Sequence, residues 1–314
     1  MPTPSDPSHA RDWAAQSVAP QRSVFGNYGV QALSPTREVT SGSHAAETST
    51  SDPNRVAPDP APEAHSLQFR IHQALARSFV YRFLANAYED PSSDSWQWQT
   101  APDTVVALRA ATRLLGGTVD IAARNLHQRQ ESEDFESFLG GYLAAFGHAA
   151  RGSCPLNEIE YGDIKADPLF QPHRLADLAA FYRAFGMEVA SDAGERHDHL
   201  GLELEFLCVL AAKDAYALEY QLDDDDHALC REAQKKFLRE HLGRWTPAFS
   251  RRLAAATSNP TLRSLAEFTR AFVESECKGF GVSSGSEELA LRPVDEAADR
   301  MCDACGLRNL PPSA

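Results

Sequence analysis

From Ser66 onward, apolar side chains return every three or four positions. Leu67, Ile71, Leu75, Phe79 and Phe83 recur every four residues, and Val80, Leu84 and Tyr88 widen the stripe. That spacing belongs to one face of an α-helix. Asp90 and Pro91 stop it. The same period predicts helices over Asp103–Leu115, ended by Gly116 and Gly117, and over Asp120–Gln128. Another begins near Ser132, carries Phe135, Phe138, Leu139, Tyr142, Leu143 and Phe146, and closes at Gly147. Residues 151–170, RGSCPLNEIEYGDIKADPLF, have two Pro, two Gly and no period, and read as a linker or hinge loop.

Helical spacing resumes over Leu175–Phe185, ended by Gly186, and after a loop at 187–197 it runs from Asp198 to about Leu222. Further helices are predicted over Ala228–Leu242, Thr246–Ala255 and Pro260–Cys277, with Gly243 as a break. Asn259 suits an N-cap and Pro260 the first helical position. One more helix is expected over Glu287–Arg300. No strand-like alternation extends beyond a few residues, so the fold class is all-α. Residues 1–63 are rich in Pro, Ser, Thr and Ala and have few large apolar side chains. Such a segment buries too little surface to offset its ordering entropy and is expected to be disordered.

The chain has 314 residues, 43% of them hydrophobic, a formal net charge of −14 and a pI near 5.2. The charge argues against nucleic acid and against an anionic membrane surface, since both demand clustered Lys and Arg. No stretch reaches the roughly 20 apolar residues of a membrane-spanning helix. The N-terminus carries no basic-then-apolar leader, and the six cysteines lack disulfide-scaffold spacing. Both point to a reducing cytoplasm. There is no G-x-x-x-x-G-K-[ST] loop and no G-x-G-x-x-G after a strand. No enzyme activity is therefore expected.

The informative segment is Glu195–Leu207, ERHDHLGLELEFL. Asp198 stands where a helix N-cap belongs, with His199 in the first turn. A competing reading takes His197, Asp198 and His199 as metal ligands of a hydrolase. Adjacent residues at a helix start do not face one point, and no further ligand is evident beyond the His199–Glu203 spacing. From Glu188 to Asp226 there are twelve acidic residues against two basic ones, Arg196 and Lys213. Such a run is either a solvated face or a docking surface for arginines. Cys302-x-x-Cys305 supplies half of a zinc or iron–sulfur site, to be completed by Cys154 and Cys277 or by a second subunit.

ERHDHLGLELEFL is similar to the E-x-P-D-H-x-x-x-E/M-L-x-F-L signature of the TorD/DmsD/NarJ family of molybdoenzyme maturation chaperones. FRIHQALARSFVYRFLANAYEDP resembles that family's first helix, and FESFLGGYLAAFGHAARGSCPLNEIEYG its central helix and hinge. KKFLREHLGRWTPAFSRRLAAAT resembles its F-L-x-x-H-L-x-x-W-x-P-x-F segment. The likeness spans about residues 66–280. It departs from the family pattern at His197, which stands where the signature has Pro.

The resemblance implies one all-helical domain over 64–282, with lobes at about 64–150 and 171–282 joined by hinge 151–170. A tail, 283–314, follows. It also implies a chaperone that binds the apo-form of an exported molybdenum oxidoreductase, or its twin-arginine signal peptide, until the cofactor is inserted. No cofactor is assigned to the chain itself, and a long hinge would permit helix exchange into a homodimer. Carried over, the binding residues are Pro155 of the hinge, with Tyr161 as its aromatic, and Glu195, Asp198 and His199 of the signature. Glu158, Glu160 and Asp198 are the carboxylates expected to face the arginines, a pairing that charge reversal should weaken in a salt-dependent way.

Overall fold

A helix that is apolar on every side can be stable only if other elements surround it. The computed structural model describes residues 66–147, 153–162, 170–190, 194–222 and 224–292, and two such helices form its centre. Helix α1, Leu67–Ala87, starts where Ser66 Oγ accepts the Phe69 N–H at 3.2 Å. Only its first turns show one buried face; from Ala76 to Ala87 nearly every residue is buried. The described part of the signature helix, Leu200–Glu219, is buried in the same way. These two helices form the most extensive packing in the molecule, and Ser78 Oγ donates across it to the Cys208 carbonyl.

Short helices cover α1 on its other sides. Helix α2, Ser93–Thr100, is absent from the periodicity reading because SDSWQWQT holds too few apolar positions. A reciprocal Ser92–Ser95 capping box starts it, and Trp96 stacks on Phe138 at 4.6 Å. Helices α3, Pro102–Leu115, and α4, Gly117–Gln130, match the expected pair and turn at Gly116, whose φ of 120° disfavours a side chain. Helix α5, Phe135–Phe146, is capped by Asp134, two residues beyond the expected start. Helix α6, Phe170–Ala184, begins earlier than predicted. The signature helix is α7, followed by α8, Asp224–Glu240, α9, Leu242–Ala256, and α10, Pro260–Gly279. Asn259 Oδ1 accepts the Leu262 N–H, so the expected cap of α10 is present.

Two expectations change. Gly243 is not a break but lies inside α9, and the bend falls two residues earlier at His241. A Cβ on Gly243 would meet the Leu238 carbonyl oxygen at 2.4 Å and Cys277 Sγ at 2.6 Å. Glycine is there to let α9 approach α10 and the end of α8. Gly243→Ala is expected to lower stability by about 1–3 kcal/mol through overpacking, read as a shift in the urea midpoint; an unmoved midpoint would show that these neighbours yield freely. Second, residues 287–292 of the expected last helix form a turn and an extended segment, because that segment pairs with the hinge. Residues 293–300 lie outside the described residues, as do the extension 1–63 and the Cys302/Cys305 pair.

Pro247 sits within α9 without breaking it. Proline has no N–H to give the carbonyl four residues back, which is that of Gly243. The Gly285 N–H, from the segment after α10, donates to it at 2.8 Å instead. The two halves of the chain share one hydrophobic core. It runs from Phe79, Phe83 and Tyr88 through Tyr142 and Phe146 to Phe206, Phe237, Trp245 and Phe249. No strand occurs among the described residues, and no described helix is long and apolar enough to cross a membrane.

Candidate functional site

The hinge segment 153–162 is a buried strap, held on both edges by backbone pairing. On one edge, the Glu158 N–H donates to the Asp198 carbonyl at 2.9 Å and the Leu200 N–H to the Leu156 carbonyl at 2.8 Å. On the other, Gly162 N–H donates to the Ala290 carbonyl and Arg292 N–H to the Glu160 carbonyl, an antiparallel bridge between Tyr161 and Leu291. A one-turn 3₁₀ helix, Glu158–Glu160, turns the intervening side chains inward. The strap therefore brings the expected hinge residues and the signature together at the start of α7.

Glu158 has no solvent exposure. Its Oε1 accepts from Arg174 Nη2 at 2.8 Å and Arg244 Nη2 at 3.1 Å, and its Oε2 accepts from His241 Nδ1 at 2.9 Å. An ionised carboxylate only accepts, so His241 carries its proton on Nδ1. Burial by itself would raise the Glu158 pKa, but the His241 hydrogen bond and the charges of His241, Arg174 and Arg244 outweigh it and hold it below the usual carboxylate range. Arg244 also donates to the Tyr161 carbonyl, and Arg174 to the carbonyl of Glu240.

Asp198 is likewise without exposure. It does not cap α7. That role falls to the next residue, with His199 Nδ1 accepting the Gly201 N–H at 3.2 Å. Asp198 instead fastens the strap: Oδ2 accepts the Ile159 N–H at 3.1 Å and Oδ1 accepts Asn157 Nδ2 at 3.2 Å. Arg196 forks onto both oxygens, Nε to Oδ1 at 2.9 Å and Nη2 to Oδ2 at 2.7 Å. Its Nη1 reaches Glu160 Oε1 at 3.5 Å.

The other expected residues fall around this network. Pro155 is buried and its carbonyl accepts the Tyr161 hydroxyl at 2.9 Å. The Tyr161 ring lies 5.0 Å from that of Trp245. Glu195 is the exposed member, with its carboxylate 3.7 Å from His199 Nε2. Burial lowers the His199 pKa despite Glu195 and Asp198. Glu203, fully buried one turn into α7, accepts Trp245 Nε1 at 3.1 Å. Burial, with the negative charges of Glu158 and Asp198, raises its pKa well above the usual range.

The carboxylates expected to face the arginines are buried. Glu158, Glu160 and Asp198 do face arginines, but those of the same chain, and Asp214 from the acidic run is buried against Arg77, His227 and Arg231. Sequence reasoning gave no role to Arg174, His241, Arg244 or Trp245. The last three stand in the H-L-x-x-W segment, the signal that could have drawn attention to them.

The metal reading of the signature finds no geometry. The His197 ring lies against Tyr182, Asp198 turns to the strap and His199 caps α7, and no cluster suited to a metal ion occurs among the described residues. Burial pushes the Cys154 and Cys277 thiols up to about 12, the opposite of what metal-binding thiolates need. Gly281–Gly285, GVSSG, matches the lettering of a nucleophile elbow. It follows a helix in extended chain and lacks the strand-to-helix turn that strains the serine of such an elbow.

Residues 107–251, from within α3 to within α9, match the family model described as nitrate reductase delta subunit. The chain is 26% identical over 208 residues to the perchlorate reductase assembly chaperone protein of Dechloromonas aromatica, covering 65% of this chain and 90% of that one. It is 35% identical over 140 residues to the selenate reductase assembly chaperone protein of Thauera selenatis, covering 43% and 69%. It is 27% identical over 119 residues to the chaperone protein TorD of Vibrio cholerae, covering 38% and 52%. With the all-helical fold and the strap-and-signature site in place, the chain belongs to the TorD/DmsD/NarJ family, that of the nitrate reductase delta subunit and the reductase assembly chaperones.

Proposed function

We propose that the protein is a chaperone for assembly of a molybdenum-cofactor oxidoreductase, that it works in the cytoplasm, and that it reads the client's twin-arginine signal peptide at the hinge strap. The observation that carries the reading is the pair of buried carboxylates, Glu158 and Asp198, each already bonded to guanidinium groups at 2.7–3.1 Å. Carboxylate forks of this kind recognise arginine bidentately. The relatives named for perchlorate and selenate reductase assembly support a client of the same class. Cys154, Cys208, Cys230 and Cys277 are thiols rather than disulfides, in keeping with a reducing compartment.

Calorimetry of the full chain with a synthetic peptide, Arg-Arg followed by a moderately apolar stretch, tests this. Affinity of about micromolar or tighter, lost when the two arginines become alanines, is the expected result. The same observation favours a second reading, because carboxylates satisfied internally need no client arginine: the protein then holds the mature apo-enzyme alone. Binding of a signal-less apo-enzyme with no binding of the peptide would select that reading, and binding of neither would sink both.

A further inference from the structure

Of the arginines at the strap, one is held differently from the rest. Arg174 and Arg244 are largely buried and also bond to backbone carbonyls. The Arg196 side chain is 44% exposed and, among the described residues, hydrogen-bonds only to Asp198 and Glu160. We infer that Arg196 is an internal stand-in for a client arginine, displaced by a segment in which arginine is followed by an apolar side chain. The inference rests on the signal-peptide reading above and names the group that the signal must evict.

The socket is complete without Arg196. Asn157 Nδ2 and the Ile159 N–H hold one lone pair on each Asp198 oxygen, which fixes the plane of the carboxylate. The outward lone pairs are those that Arg196 takes, so they form a preorganised fork for one guanidinium. Rotation of Arg196 into solvent breaks no backbone hydrogen bond and uncovers Asp198. An incoming guanidinium then restores the same charge and the same two hydrogen bonds, so the exchange leaves no buried carboxylate unpaired.

A receptacle for the next side chain adjoins the socket. A shallow pocket of about 160 Å³ is lined by Ala179, Tyr182, Met187, Val189 and His197, with Arg183 and Glu188 at its rim. His197 stands between Arg196 and Asp198 in the chain, its ring nearly parallel to that of Tyr182 and its carbonyl accepting the Tyr182 hydroxyl at 2.7 Å. His197 thus belongs to the pocket wall and is the chain neighbour of both Arg196 and Asp198, and the inferred segment would set its apolar side chain there.

The test compares the wild-type chain with Arg196→Ala, using the synthetic Arg-Arg peptide and a version with its apolar residues changed to serine. Arg196→Ala is expected to bind the Arg-Arg peptide roughly tenfold tighter, the effect of removing one competing ion pair, and the serine peptide more weakly. Arginine-dependent binding that is equal or weaker in Arg196→Ala overturns the inference and leaves the signal-peptide reading standing. Absence of binding by either protein overturns that reading.

A second arm needs no client. Arginine amide should raise the melting temperature of Arg196→Ala more than that of the wild type by refilling the socket. An equal rise in both overturns the socket. If Arg196→Ala does not fold, Arg196→Gln serves both arms, since it removes the charge while keeping a polar side chain over Asp198.

Discussion

Arg77→Ala should lose about 3–5 kcal/mol of stability, the cost of leaving a buried carboxylate without its cation. Arg77 is buried in the middle of α1, where its Nε lies 2.9 and 2.8 Å from the two oxygens of Glu276 of α10, and its Nη2 lies 2.7 Å from Oε2. Burial by itself favours a neutral guanidine, but the charge of Glu276 and its hydrogen bonds outweigh it and keep Arg77 firmly protonated. Without Arg77, Glu276 keeps, among the described residues, only the Tyr81 hydroxyl at 2.8 Å. Asp214 of α7, 3.6 Å from Arg77, would still have His227 at 2.9 Å and Arg231 at 3.5 Å. The guanidinium also covers one face of Phe280, with Arg231 on the ring at 4.6 Å. Chemical denaturation of Arg77→Met and of Arg77→Met/Glu276→Leu separates charge from shape. The double variant should recover part of the loss, because removing both charges leaves no unpaired charge between them; equal losses would show that packing alone is at work.

Glu158→Gln is the second large effect, about 3–5 kcal/mol near neutral pH by the same argument. It leaves Arg174, Arg244 and His241 around a neutral amide, and His241 is wholly buried. The effect depends on pH in a definite direction. The folded carboxyl is held below its ordinary value, so its stabilisation is fully present above the unfolded value of about 4.5 and is lost as pH falls through the folded one. The gap between wild type and variant should therefore be widest near pH ~7 and narrow in acid. Urea midpoints across that range check it, and a gap independent of pH would mean that Glu158 is not the charged partner of Arg174 and Arg244.

The helices were legible because their information is local. The four-residue recurrence in Leu67–Phe83, the Gly116 turn and the Asn259-Pro260 start act within a turn or two of backbone, and each appears where the pattern set it. Helix α2 was missed for a reason equally local, since its eight residues are specified by a capping box and by Trp96 meeting Phe138 rather than by periodicity. Gly243 was misread because glycine both ends helices and permits close approach, and only the position of Cys277 and the Leu238 carbonyl distinguishes the two.

For the site, the sequence by itself singled out the hinge, with Pro155, Glu158, Glu160 and Tyr161, and the signature, with Glu195, Asp198 and His199, and the fold brings these two segments together. The sequence could not say what they touch. Asp198 looked like a cap because Asp before an apolar helix usually is one, yet it binds Ile159 and Asn157, about forty residues away. The acidic run looked like a surface because charge runs usually are, yet Asp198, Glu203 and Asp214 point inward. Only the tertiary structure decided that, since a buried carboxylate is stable where distant chain delivers its counter-charge. Arg174, Arg244 and His241 reach Glu158 across 16, 86 and 83 positions, separations over which a local pattern carries no information.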